Sequence, residues 1–386
     1  MGIIDRTIRL ASGHEMPLFG LGTWLSKPGE AAAAVRYAIN EAGYRHIDCA
    51  YSYSNQKEIG ETLQQIFQGN REDVFITSKV WNTAHSRARA KSNIAEILGD
   101  LRLDYIDLML IHWPMGYVEG GNQIFPKDEN GKTIYSDVDY VETWPALEDA
   151  VQSGKIRYFN AVFVYKKSRS IGISNFNHHQ IERILERAKI PPSVLQVELH
   201  PYLQQRKLRA FCAEHNIHVT AYSPLGETSA AERDGGHLAN PTMPYRKAGD
   251  PSVLHEPTVL KISEKHGKTP AQVIIRWHVQ NGVTVIPNRI HENADIWDFE
   301  LTPDEVKAID ALDRTSFACP DMNSTGCQSV SINVELLFAF RGTCDDRDKN
   351  AGLDMPPPRA LVPHSSNIGS GSEHAGRAPI PTRNTT

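Results

Sequence analysis

A closed α/β barrel of eight parallel strands, each wrapped by a following helix, is the architecture this sequence predicts. Two observations carry it. Short apolar, β-branched runs alternate with helical stretches along most of the chain. Three of those runs end on an ionisable side chain: Arg45-His46-Ile47 into Asp48, Val74-Phe75-Ile76-Thr77-Ser78 into Lys79, and Ile106-Asp107-Leu108-Met109-Leu110-Ile111 into His112. In a parallel barrel the reacting groups sit at the C-terminal ends of the strands, so these three ends read as one rim.

The elements follow in order. Thr7-Ile8-Arg9-Leu10, a Ser12-Gly13 turn and Glu15-Met16-Pro17-Leu18 predict an N-terminal β-hairpin. Residues 19–23 form the first barrel strand. Gly20-Leu21-Gly22 there is no dinucleotide fingerprint, because the third glycine and the following acidic residue are missing. Residues 30–41 are Ala-rich and helical, with Gly43 suited to the C-terminal cap. Strand 45–48, helix 56–67, strand 74–79, helix 86–99 and strand 106–112 follow. Residues 114–139 make a long loop rich in Gly, Pro and charge. Helix 143–153 stops at Gly154. Strand 170–174 precedes helix 178–188, and strand 195–198 precedes helix 205–215. Strand 218–223 leads into a long polar loop, 226–250, and helix 269–281 leads into strand 283–287. Eight such strands close a TIM barrel. An open, doubly wound sheet is the competing arrangement.

Composition narrows the function. The chain has 386 residues, 40% of them apolar, enough for a large core. A formal charge of −5 gives no electrostatic reason to expect nucleic acid or an anionic membrane as partner. Five cysteines without a CxxC pair argue against a disulfide scaffold or a metal site, and fit a reducing, cytoplasmic setting. The N-terminus has no apolar leader, and no apolar run is long enough to span a bilayer.

Tyr53, five residues past Asp48, completes a chemical set with Lys79, Asp48 and His112. A phenol has a pKa of about 10 and is a poor acid at neutral pH. A nearby ammonium stabilises the phenolate and lowers that pKa, a role open to Lys79. Asp48 would keep Lys79 charged and in place. His112 would hydrogen-bond a carbonyl oxygen. Such a group suits proton delivery to an oxygen while a hydride arrives at carbon. Each residue alone has a plainer role: a loop tyrosine, a solvated lysine, a turn-forming aspartate, a strand-capping histidine.

Gly43-Tyr44-Arg45-His46-Ile47-Asp48-Cys49-Ala50-Tyr51-Ser52-Tyr53 closely resembles the signature of the aldo-keto reductase family. Phe75-Ile76-Thr77-Ser78-Lys79-Val80-Trp81, Leu110-Ile111-His112-Trp113-Pro114, Ile171-Gly172-Ile173-Ser174-Asn175-Phe176, Gln196-Val197-Glu198-Leu199-His200-Pro201-Tyr202 and Thr220-Ala221-Tyr222-Ser223-Pro224-Leu225-Gly226 resemble its other motifs in order. The likeness runs from about Thr7 to Leu312. It implies a cytosolic, monomeric NADPH-dependent reductase of small aldehydes and ketones. By resemblance, Tyr53 is the proton donor, Lys79 lowers its pKa, Asp48 pairs with Lys79, and His112 positions the carbonyl. Thr23 and Trp24 would lie near the nicotinamide. Ser174, Asn175 and Gln196 would hold its carboxamide, and Tyr222 would stack on its ring. Ser223 and Leu225 would flank the pyrophosphate. Trp24, Trp81, Trp113 and Phe125 would line an apolar substrate pocket, although ordinary core packing also accounts for Trp81.

Three departures from the family stand out. Residues 158–169, Tyr-Phe-Asn-Ala-Val-Phe-Val-Tyr-Lys-Lys-Ser-Arg, are an aromatic, β-prone insert at the N-terminal end of a strand, opposite the catalytic face. After Val285-Ile286-Pro287 the chain passes through Asn288 straight to Arg289-Ile290-His291-Glu292-Asn293, omitting the Lys-Ser pair that grips the 2′-phosphate in the family. Arg289, Glu292 and Asn293 would remain for the adenine end. Residues 318–386 form a divergent tail, rich in Ser, Gly, Pro and Asn, that is expected to be disordered and sits beyond a barrel of residues 1–317. The weakened phosphate loop keeps a second function open: a barrel that binds cofactor or serves structurally without turnover.

Overall fold

The structure is a computed structural model that describes residues 7–67, 70–152, 156–158, 161–163, 168–226, 251–287 and 293–314. The chain opens with β1 (Thr7–Arg9) and β2 (Glu15–Pro17), followed by β3 (Leu21–Gly22), α1 (Glu30–Asn40), β4 (His46–Asp48), α2 (Gln56–Ile66) and β5 (Phe75–Val80). Next come α3 (Arg87–Leu101), β6 (Ile106–Ile111), α4 (Tyr140–Gln152), β7 (Ile156–Tyr158), β8 (Ala161–Phe163), β9 (Ser168–Ser174) and α5 (His178–Leu185). The rest is β10 (Val194–Glu198), α6 (Arg206–Glu214), β11 (His218–Tyr222), α7 (Pro257–His266), α8 (Pro270–Gln280), β12 (Thr284–Val285) and α9 (Pro303–Asp310).

Eight strands pair in the order β12, β11, β10, β9, β6, β5, β4, β3, every pairing parallel. The two ends of this sheet meet. Phe19 bridges Val285 in parallel, the Gly20 amide donates to the Val285 carbonyl at 2.9 Å, and the Val285 amide donates to Leu18 at 3.0 Å. The sheet therefore returns on itself as a (β/α)8 barrel, and the open doubly wound alternative is excluded. Gly22 permits the closure, because a Cβ there would lie 2.7 Å from the Ile286 carbonyl oxygen.

Hydrophobic burial holds the two layers together. Every residue of β5 and β6 is buried, as expected for strands covered on both faces. Helices turn apolar stripes inward, such as Ile59 and Leu63 of α2 and Ile94, Ile97 and Leu101 of α3. Gly60 lets α2 reach α3, since a Cβ there would meet the Asp100 carbonyl oxygen at 2.4 Å. The β1–β2 hairpin plugs the N-terminal end of the barrel: Leu10 and Met16 pack on Phe75, Leu108, Leu110 and Val194.

That closed end is stapled by charge. Asp107, 2% exposed, accepts from the Ile76 amide at 2.9 Å and from Arg71 at 2.6 Å, and Arg169 of β9 lies 3.4 Å away. The guanidinium groups of Arg71 and Arg169 sit over the Tyr105 ring at 4.3 and 4.4 Å. Arg169 also donates to Glu72 at 2.7 Å. Just upstream, β7 and β8 pair antiparallel as a two-stranded ribbon. β9 begins at Ser168, so the last two residues of the expected insert belong to the barrel wall.

Some boundaries differ from the sequence expectation. α4 starts at Tyr140 rather than at residue 143, because Asp139 caps it: its side chain accepts from the Val141 amide. α7 and α9 were not anticipated. Both start on proline, and α9 has a capping box between Thr302 and Glu305. The long polar loop at residues 227–250 lies outside the described residues, as does the tail from residue 315 onward.

Candidate active site

At the C-terminal mouth, successive strands deliver the expected residues to one place. β4 ends on Asp48, β5 carries Lys79 as its penultimate residue, and His112 follows β6 directly. Tyr53 closes a short 3-10 turn, Tyr51–Tyr53, on the loop after β4. The Lys79 ammonium is fully buried and donates three hydrogen bonds: to Asp48 Oδ1 at 2.6 Å, the Cys49 carbonyl at 2.9 Å and the Tyr53 hydroxyl at 3.3 Å. A cation this deep persists because its charge is paired and its protons are used. The Tyr53 and His112 rings meet edge to face at 5.8 Å.

Burial pushes the Tyr53 phenol well above its ordinary pKa of 10.0, and the Asp48 carboxylate and Cys49 push the same way. The net lowering by Lys79 that the sequence suggested is therefore not what this site produces at rest. A raised value keeps the phenol protonated at neutral pH, the state a proton donor needs. The Lys79 N–H, aimed at the phenol oxygen, favours the phenolate only as the proton leaves. His112 is held well below 6.5 by burial and then by the Lys79 charge, so it is a neutral imidazole able to donate one N–H.

The carboxamide candidates cluster on the other side of the barrel. Asn175 sits in the left-handed region at φ 65°. Its amide nitrogen donates to the His112 carbonyl at 3.0 Å and to Ser174 Oγ at 3.1 Å, and its Oδ1 accepts from the Tyr222 hydroxyl at 2.9 Å. This ties the ends of β6, β9 and β11 together. Gln196 reaches across the barrel to donate to Asp48 Oδ2 at 2.8 Å, a contact that sequence reasoning missed. Its Oε1 has no hydrogen bond among the described residues. Thr23 is buried, and its hydroxyl donates to the Asp48 carbonyl at 2.9 Å. Trp24 is half-buried on the turn after β3. Ser223 follows β11 at φ 45°, and half-buried Leu225 packs on the core. Asn293 is buried, whereas Arg289 and Glu292 lie outside the described residues.

Two of the aromatic candidates flank His112, and a third, Phe125, reaches it through Trp81. Trp81 lies edge-on to it at 5.0 Å and Trp113 stacks at 6.4 Å. Trp81 is 4% exposed, and its indole N–H donates to the Ile124 carbonyl at 2.6 Å, which fastens the 114–139 loop over the site. Phe125 meets Trp81 edge-on at 5.3 Å and is 41% exposed. Among the described residues no group of three or more His, Cys, Asp or Glu could hold a metal ion, and no helix is long and apolar enough to cross a membrane. The free Gln196 Oε1 and the adjacent Ser174 hydroxyl are suited to an amide donor, and the half-buried Tyr222 ring to a flat heterocycle. This donor set fits a nicotinamide.

Comparison with known proteins agrees with this geometry. Residues 18–314 match the profile of the Aldo/keto reductase family. Aldo-keto reductase family 1 member A1 from Bos taurus is 44% identical over 316 residues, covering 80% of this chain and 89% of the relative. The Homo sapiens protein of the same name is 42% identical over the same span and coverage. Among solved structures, the aldose reductase from Schistosoma japonicum superposes with a TM-score of 0.70 at 35% identity, covering 86% of this chain and 99% of the other. With the profile spanning the whole barrel and relatives above 40% identity, the chain belongs to the aldo/keto reductase family.

Proposed function

We propose that this protein reduces aldehydes or ketones to alcohols with NADPH, Tyr53 delivering the proton. The hydrogen-bonded line Asp48, Lys79, Tyr53 at the barrel mouth, with neutral His112 beside it, is the observation that supports this reading. NADPH, when bound, supplies the hydride. Ser174, Asn175 and Gln196 would hold its carboxamide and Tyr222 its ring, with Thr23, Trp24, Ser223 and Leu225 around them. His112 donates to the carbonyl oxygen and turns it toward Tyr53. As negative charge grows on that oxygen, the phenol gives up its proton while Lys79 stabilises the phenolate that remains. Trp24, Trp81, Trp113 and Phe125 exclude water from the reacting carbon and select apolar carbonyl compounds. The protein would act as a cytoplasmic monomer, with Asn293, Arg289 and Glu292 at the adenine end.

Replacing Tyr53 with Phe removes the only proton this scheme assigns to transfer. Turnover of an aromatic aldehyde should fall at least about 100-fold in Tyr53→Phe with NADPH affinity unchanged, and an unaltered rate would defeat the assignment. The omitted Lys-Ser pair favours a second reading, a barrel without turnover. Fluorescence titration separates the two: micromolar NADPH binding with turnover supports the enzyme, and failure to bind either NADPH or NADH supports the other.

A further inference from the structure

Asp48 has two oxygens, and they serve different strands. Oδ1 accepts from Lys79 of β5, and Oδ2 accepts from Gln196 of β10 at 2.8 Å. Asp48 is 1% exposed and Gln196 2%, so neither carboxylate oxygen is open to bulk solvent. Gln196 stands on the far wall of the barrel, 148 residues along the chain. Nothing in the proposed catalytic step requires it to reach Asp48.

We propose that Gln196 is a positioning residue for proton delivery: by holding Asp48 Oδ2 it fixes the carboxylate that keeps Lys79 charged and aimed at Tyr53. A buried carboxylate oxygen deprived of its donor disfavours the charged form of the group. Without Gln196, Asp48 competes harder for the ammonium proton, and the cation beside the phenol is weakened. The titratable groups facing Tyr53 are Asp48 and Cys49 at the end of β4, Lys79 on β5 and His112 after β6. Of these, Asp48 is the one hydrogen-bonded to Gln196. Because Gln196 Oε1 is open, the same side chain could take a ligand amide on one atom and Asp48 on the other. Docking of a ligand would then be felt by the proton donor. This inference rests on the proposed reductase reading for its kinetic part alone.

The test has two arms. In the first, without ligand or turnover, urea denaturation of wild type, Gln196→Met, Asp48→Asn and the double variant gives a double-mutant cycle. Gln196→Met should lower the midpoint in the wild-type background and do much less beside Asp48→Asn. Equal effects in both backgrounds overturn the inference, whatever the enzyme does. In the second arm, alcohol oxidation needs Tyr53 as the phenolate that accepts the proton, so kcat rises with pH. This rising, acid-side limb should move up by about one pH unit in Gln196→Met, roughly a tenfold change in the phenolate balance. A limb that stays put while only NADPH affinity weakens reduces Gln196 to a ligand contact and refutes the proposal. If Gln196→Met does not fold, Gln196→Ala, which also lacks the donor and adds neither bulk nor charge beside Asp48, carries both arms with the same direction expected. Wild type and Tyr53→Phe run alongside, so that a failure of the reductase reading shows separately.

Discussion

The Lys79 ammonium lies 2.6 Å from Asp48 Oδ1, with the lysine fully buried and the aspartate 1% exposed. The pair serves stability as well as chemistry, because neither charge can survive alone at that depth. Asp48→Asn should destabilise the barrel by about 3–5 kcal/mol, and removing both charges together should cost less than the sum of the single changes. Urea midpoints of the two singles and of Asp48→Asn/Lys79→Met measure this; additive losses would deny the coupling.

Acid sensitivity should come from buried imidazoles. Burial holds His46, His85 and His218 down at about 4 and His278 at about 3, against an ordinary value of 6.5. Between those limits the unfolded chain binds protons that the folded one refuses. Their contribution is therefore complete above pH 6.5 and drains away as pH falls toward 4 and then 3. His278→Gln should flatten the descent of the denaturation midpoint between pH 6.5 and 4. A descent as steep as that of wild type removes His278 from the explanation.

The aromatic wall divides into a buried and an exposed part. Phe125→Ala, at a position 41% exposed, should leave stability within about 0.5 kcal/mol and raise KM for aromatic aldehydes about 3- to 10-fold. Trp81→Ala should do both kinds of damage, with about 3–5 kcal/mol lost from the fold. Thermal melts and steady-state kinetics on the two variants distinguish the roles, and a neutral Trp81→Ala melt would contradict the packing described.

Gly60→Ala forces a methyl group against the Asp100 carbonyl oxygen and the backbone of Leu101, so α2 must back away from α3. The expected loss is about 1–3 kcal/mol with kcat unaltered, because the clash lies on the outer helical layer. Calorimetry reads the first, and a substrate assay at low temperature the second.

Much of this was legible in the chain itself. Runs such as Ile106–Ile111 are apolar throughout because both faces are covered, and that pattern survives without any knowledge of neighbours. His112, Lys79 and Asp48 announced themselves by ending such runs. The helices absent from the sequence reading, α7 and α9, are short and stand well downstream of β11 and β12, although Pro257 and the Thr302-Pro303-Asp304-Glu305 cap carried the signal. Gln196 on Asp48 was invisible, since contacts across a barrel leave no periodic trace. The burial that dominates the Tyr53 balance is hidden for a related reason. A sequence displays a neighbouring cation but not the loss of solvent that opposes it.

The clamp of Arg71 and Arg169 around Asp107 and Tyr105 has a wider consequence. It rivets the foot of β9 to β5 and β6 immediately after the inserted stretch rejoins the wall. Chain can then be added or trimmed between Gln152 and Ser168 without shifting the register of the staves, and the working end, a strand's length away, is insulated from the change. The floor of this barrel is a natural port for splicing in new sequence.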